Sequence, residues 1–153
     1  MSKVLIFILT LCTAFFVQVQ TQAQAPKNAS NAFGLAGTKT FTLQWLGKDK
    51  YGKVKITSAG NGRFTMQGKL EVGEDFCSID GFLIPKSATA FQFVGTIETR
   101  VSYLYGGQVC SREATEASPY VFEKKSGRKY FRLQQMQTCD GPNTVDYIDI
   151  FEW

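Results

Sequence analysis

The sequence predicts an all-β fold, an antiparallel meander of about eight strands closed into an up-and-down barrel, on three observations. Apolar and polar residues alternate almost everywhere after residue 38, clusters of Gly, Asn, Asp and Pro cut that alternation into short runs, and no run has helical periodicity. Closing the meander into a barrel is the simplest way to leave it without exposed edges. A two-sheet β-sandwich is the alternative arrangement.

The chain opens with a segment of a different kind. Lys3 precedes an apolar stretch from Val4 to Leu11 that continues, after Cys12 and Thr13, through Val17. The segment turns polar from Gln18 and ends Ala23-Gln24-Ala25, a small-x-small cleavage pattern. Residues 1–25 therefore read as a signal peptide cut after Ala25. The apolar stretch is shorter than the ~20 residues that span a bilayer, so no membrane span is expected after cleavage. Cys12 lies inside the stretch behind Leu11, which does not suit lipid attachment. Residues 26–37 read as a flexible lead-in, and residues 38–153 as one β-barrel-like domain with a single core.

Phe41, Leu43 and Trp45 mark a first strand, and Val54 with Ile56 a short second one. Arg63 to Val72 is a half-buried strand, with Phe64, Met66, Gly68, Leu70 and Val72 on one face. Cys77 to Ile84 follows. From Phe91 to Tyr105, Phe91, Phe93, Gly95, Ile97, Val101, Tyr103 and Tyr105 alternate against Gln92, Thr96, Glu98, Arg100 and Ser102, and a strand of that length is expected to bend at Gly95 or at a bulge. Tyr120 to Glu123, Lys129 to Thr138 and Val145 to Glu152 complete the set. Turns are expected at Gly47-Lys48-Asp49, Gly60-Asn61-Gly62, Gly73-Glu74-Asp75, Pro85-Lys86-Ser87, Gly106-Gly107, Ser126-Gly127 and Asp140-Gly141-Pro142-Asn143. Gly106 to Pro119 reads as a long polar loop.

Cys77, Cys110 and Cys139 follow the leader, and three thiols cannot all pair within one chain. A hairpin centred on Lys124-Lys125-Ser126-Gly127-Arg128 brings residues near 110 beside residues near 140. Cys110–Cys139 is therefore the expected bridge, and it needs an oxidising compartment, secreted or periplasmic. Cys77 reads as a buried core thiol, with an intermolecular bridge as the alternative.

Removal of the leader takes away Lys3, so the whole-chain charge of +4 falls to +3. From Lys27 to Lys69 the only acid is Asp49, against Lys39, Lys48, Lys50, Lys53, Lys55, Arg63 and the two terminal lysines of that span. Such a segment could attract an anionic partner, but the plainer reading is a solvated strand face, and nucleic acid is not an expected partner.

In length, strand count and leader the chain resembles the small exported meander barrels of the lipocalin and avidin-like type, a calycin-like architecture. The likeness is architectural. Lipocalins carry Gly-x-Trp near the first strand, where this chain has Trp45-Leu46-Gly47, and avidins use several tryptophans, where this chain has Trp45 and Trp153. The resemblance implies a barrel that holds one small ligand or is filled by side chains.

The chain has no histidine, which removes the commonest general base and metal ligand, so no catalytic residue, metal or cofactor is assigned. Asp80, Glu98, Asp146 and Asp149 are the candidates for a catalytic carboxylate pair, and the Asp140 loop with Asp146 for a calcium site; strand-surface and turn roles explain them more simply. Asp149 alone looks misplaced, since it shares a face with Val145, Tyr147, Phe151 and Trp153; Arg132 is its candidate partner. The expectation is a non-catalytic binding protein for a small apolar or amphipathic ligand. Trp45, Phe64, Phe93, Tyr103, Tyr147 and Phe151 would line the cavity, with Arg132 and Asp149 orienting the ligand. The alternative is an interaction domain with a filled core, whose partner protein or second copy docks on a basic outer surface or on Ile148 and Ile150 facing outward.

Overall fold

The computed structural model describes residues 34–152; the expected signal peptide, most of the lead-in and Trp153 lie outside the described residues. The strands are β1 (Gly37–Leu43), β2 (Gly52–Gly60), β3 (Arg63–Val72), β4 (Asp75–Ser87), β5 (Ala90–Arg100), β6 (Val109–Ala114), β7 (Tyr120–Glu123), β8 (Tyr130–Leu133), β9 (Gln137–Thr138), β10 (Gly141–Val145) and β11 (Ile148–Phe151). Eight of them form a closed antiparallel barrel in the order β1-β2-β3-β4-β5-β7-β8-β11 and back to β1. β6 continues the line of β7 along β5, pairing Gly95–Arg100 where β7 pairs Ala90–Phe93. β9 and β10 form a separate two-stranded ribbon.

Alternation explains most of the strands. In β3, Phe64, Met66 and Leu70 are buried, while Arg63, Gln67 and Lys69 are exposed. β4 and β5 approach closely at Gly81 and Gly95, which face each other in register. A Cβ at Gly81 would lie 2.2 Å from the Val94 carbonyl oxygen, and one at Gly95 2.3 Å from that of Asp80. Gly95 also has φ +146°, so both the backbone conformation and the close approach favour glycine at this position.

The structure corrects several sequence boundaries. Trp45 leaves the first strand and sits in a 3₁₀ turn, Gln44–Leu46. The strand read from Phe91 to Tyr105 stops at Arg100, because the Asp75 carboxylate accepts hydrogen bonds from the Ser102 N–H at 2.7 Å and hydroxyl at 3.0 Å and turns the chain away. The supposed loop from Gly106 to Pro119 contains β6, whose inward residues are Cys110, Arg112 and Ala114 rather than large apolar ones. Pro85 lies in β4, not in a turn: β3 pairs with β4 only as far as Leu83, so no β3 carbonyl there lacks a donor, and the pairing with β5 bulges between Pro85 and Ser87. Lys129 to Thr138 divides into β8 and β9, and Val145 to Glu152 into the end of β10 and β11, with Gly141 and Asn143 inside β10.

The interior is packed. Phe41, Phe64, Phe91, Phe93 and Phe122 are 0% exposed, and Met66, Leu83, Ile97, Leu133 and Ile148 fill the space between them. Phe91 stacks on Phe122 at 5.0 Å and leans on Phe131 at 5.3 Å, while Phe93 meets Phe122 edge-on at 6.3 Å. Each such ring contributes roughly 1.5–3 kcal/mol by leaving water. Leu35, within the expected lead-in, is also buried in this core.

Candidate functional site

The two ends of the barrel differ in chemistry. At the first, called the mouth, β1, β5 and β8 begin and β2 and β11 end. A pocket of about 210 Å³ lies here, walled by Leu35, Ile56, Phe91, Phe131, Ile150 and Phe151 and rimmed by Lys39 and Glu152. Lys39 lies two residues before Phe41 on the same side of β1, which directs its stem into the mouth. Its ammonium donates to the Glu152 carbonyl oxygen at 3.1 Å. The mouth thus offers an apolar wall and one cation tethered by a neutral acceptor.

At the opposite end, β6 and the β9–β10 ribbon are drawn onto the barrel by a buried polar cluster. Asp146 is 0% exposed. Its carboxylate accepts from Arg112 Nη2 at 3.1 Å, from Trp45 Nε1 at 3.1 Å and from the Thr99 hydroxyl at 3.4 Å. Arg112 Nη1 donates to the carbonyls of Gln135 at 3.1 Å and Gln137 at 2.6 Å, so one guanidinium ties β6 to β9 and to Asp146. Among the described residues Arg112 Nε has no acceptor. The Asp146 N–H donates to the Met136 carbonyl at 2.7 Å, and the Gln44 side chain holds the Val145 carbonyl at 2.7 Å and the Tyr147 N–H. The Cys110–Cys139 disulfide, Cα to Cα 5.6 Å, covalently closes the same end. Cys77 is buried and free beside this cluster. Its thiol is pushed far above the ordinary range, first by burial and then by the Asp146 carboxylate, against a smaller opposing effect of Arg112.

The sequence model of the PM1083 family matches residues 19–152. The chain belongs to the PM1083 family. A relative from Pasteurella multocida (strain Pm70), described as uncharacterized protein PM1083, is 37% identical over 144 residues, covering 93% of this chain and 89% of the relative. No solved structure matches. The likeness of this PM1083-family chain to lipocalins and avidins is accordingly that of a closed eight-stranded meander.

The residues expected to line one cavity in this PM1083-family barrel are dispersed. Phe64 and Phe93 are core rings at 0% exposure. Trp45 belongs to the polar cluster, and Tyr103 lies exposed in the turn after β5, its hydroxyl donating to the Trp45 carbonyl at 2.7 Å. Phe151 touches the mouth.

Asp149 and Arg132 form the expected pair, with two bonds of 2.7 Å, but on the outside of the barrel. Ile148 and Ile150, read as an outer apolar surface, are the inward residues of β11, opposite Leu43 and Phe41. The alternation itself holds, with Asp146, Ile148 and Ile150 inward and Tyr147 outward, but the opposite face is inside: in sequence the rings of Tyr147 and Phe151 make the outer face look like the apolar one. Tyr147 lies outside too, with the Arg132 guanidinium 4.3 Å from its ring centre. That bond to Asp149 raises the Arg132 pKa above its ordinary value, with burial opposing.

Sequence reasoning misses Arg112 altogether and reads Asp146 as a surface or turn carboxylate, whereas the structure buries both in one cluster. A signal existed in β6. In Cys110-Ser111-Arg112-Glu113-Ala114, the alternation that places a bridged cysteine inside also places Arg112 inside.

Proposed function

We propose that this PM1083-family protein is an exported, non-catalytic binding protein that takes a small amphipathic molecule at the barrel mouth. The observation that carries the reading is the pocket of about 210 Å³ left at the end of an otherwise ring-filled barrel, with Lys39 at its rim. That volume is above the ~150 Å³ cavity that accepts benzene and below the ~300 Å³ where drug-sized sites begin. An alkyl or aryl tail would bury against Ile56, Phe91, Phe131 and Ile150. A carboxylate head would replace the Glu152 carbonyl as the acceptor for Lys39, exchanging a neutral acceptor for a charged one.

Export is supported by the leader pattern in residues 1–25 and by the disulfide, which persists in oxidising compartments. The non-catalytic reading is supported by the absence of histidine from the sequence and by the engagement of three of the four candidate carboxylates. Asp146 is held by Arg112, Asp149 by Arg132, and Asp80 by Gln67 at 3.0 Å.

Amide-shift titrations with hexanoate and hexanol test the proposal. Hexanoate is expected to move the amides of Lys39, Ile56, Phe91 and Ile150 and to bind about tenfold more tightly than hexanol, the equivalent of one charge-assisted hydrogen bond of ~1.4 kcal/mol. Lys39→Met should abolish that preference and leave the hexanol affinity unchanged. Unmoved mouth amides at millimolar hexanoate would overturn the reading.

A further inference from the structure

The outer wall built by β2, β1, β11 and β8 carries more aromatic surface and more positive charge than the fold requires. Tyr51, immediately before β2, is 52% exposed and meets Phe151 edge-on at 6.1 Å. Phe151 in turn contacts Tyr130 at 5.6 Å. The guanidiniums of Arg128 and Arg132 lie 5.4 and 5.2 Å from the centre of the Tyr130 ring, and Arg132 also covers Tyr147, which is 37% exposed. Asp149 grips Arg132 through both of its oxygens, so this platform is held rigid.

Beside the rings, Lys53 and Lys55 point outward from β2, about 7 Å apart on one face of the strand, and Lys69 stands opposite Lys53 on β3. Lys69 is paired with Glu71 at 2.7 Å, whereas among the described residues no carboxylate pairs with Lys53, which donates to the Thr40 hydroxyl at 3.2 Å, or with Lys55; the carboxylates of Asp149 and Glu152 are engaged by Arg132 and Lys124. Asp49 is the only acid in the sequence between Lys27 and Lys69.

We infer that this wall binds an anionic polysaccharide. The charge selects an anion, and ammonium groups side by side on β2 and β3 suit a polymer that presents several acid groups along its length. A single-stranded nucleic acid would need bare ring faces on which to stack its bases. Here Tyr130 is covered by two guanidiniums and Tyr147 by one. What remains open is the Tyr51 ring and a set of hydroxyl, ammonium and guanidinium donors, including Thr38 and Thr42 on β1. Those groups suit a polyhydroxylated, acid-bearing chain: hydroxyls hydrogen-bond, carboxylates or sulfates pair with the lysines, and a sugar's apolar face lies on Tyr51.

The rings of the wall share only Phe151 with the mouth, and the test substitutes no residue that lines the mouth. Affinity of the purified mature protein is measured for polygalacturonate and dextran sulfate, with neutral dextran and a thymidine oligonucleotide as comparisons. Lys53→Glu with Lys55→Glu is set against Lys86→Glu with Lys125→Glu, which makes the same change of net charge at exposed positions elsewhere. The expected result is binding of one or both anionic glycans but not dextran. The wall variant should lose at least tenfold in affinity and the control variant less than threefold, while Tyr51→Ala loses severalfold. Equal losses in both charge variants would show attraction by net charge alone and overturn the proposal. So would the absence of glycan binding at low salt, or an oligonucleotide affinity exceeding that for either glycan and lost on Tyr51→Ala.

Discussion

The mouth of the barrel is held by area and the opposite end by direction. Around the mouth, Phe91, Phe122 and Phe131 interlock, and Lys39 makes one bond to a backbone carbonyl that water could replace. Around the other end, a buried carboxylate, a guanidinium, an indole N–H, a hydroxyl and a disulfide converge on residues from β5, β6, β9 and the 3₁₀ turn. Apolar packing tolerates rearrangement as long as volume is kept. Charged and hydrogen-bonded contacts inside a protein do not, because a partner left unpaired is costly. Each end thus has the chemistry its task demands. β6 and the β9–β10 ribbon lack large apolar side chains to anchor them, so charge and a covalent bond do it, while the ring-rich mouth can keep a pocket.

The sharpest way to break this contrast is to remove one charge from each end. Asp146→Ala leaves the Arg112 guanidinium buried without its counterion, and the loss should be about 3–5 kcal/mol. Lys39→Met at the mouth should change stability by no more than about 0.5 kcal/mol, because its ammonium is half-exposed and its acceptor is neutral. Urea unfolding measures both. Equal costs would mean that the polar cluster is as replaceable as the mouth lysine.

A somewhat smaller effect separates the ends in space. Removing the disulfide with Cys110→Ala and Cys139→Ala reopens a loop with a sequence separation of 29 and should cost roughly 3–4 kcal/mol. The loss should also be local. Hydrogen exchange is expected to accelerate in β6, β9 and β10 well before β1 and β2, whose pairing at the mouth does not involve the bridge. Uniform acceleration would show that the bridge serves the whole barrel rather than one end.

The same division explains what could be read in the sequence. The ring-filled part was legible, because Phe64, Met66, Leu70, Phe91, Phe93 and Ile97 repeat at the strand period and one face of each strand is inside. The bridge was legible from hairpin geometry. The polar end was not, because β6 buries a cysteine, an arginine and an alanine, and a buried arginine is indistinguishable in sequence from an exposed one until its partner is located. Asp146 lies 34 residues away in the sequence. Asp149 shows the converse: Asp146, Ile148 and Ile150 alternate inward with Tyr147 outward, but in the sequence the rings of Tyr147 and Phe151 make the outer face look like the apolar one, and a pair expected in a cavity stands on the outer wall.

The least of the three effects uses Cys77 as a reporter placed inside the polar end. Its folded-state pKa is raised, chiefly by burial, with the Asp146 carboxylate adding to the shift and Arg112 opposing it. Below the ordinary thiol pKa of about 8.5, folded and unfolded chains both hold the proton and the thiol adds no pH dependence. Above it the unfolded chain releases the proton while the folded chain retains it, so stability falls by up to ~1.4 kcal/mol for each pH unit. Between pH 8 and pH 10 the wild-type protein should therefore lose about 2 kcal/mol more than Cys77→Ala, whatever the variant loses at pH 8 from its smaller side chain. Urea unfolding at the two pH values measures the difference. An identical pH dependence in both proteins would mean that the thiol ionises as readily in the folded chain, and hence that water enters the end of the barrel where Asp146 and Arg112 meet. A steeper loss in wild type would show that end to be dry, as a buried ion pair with directional partners requires.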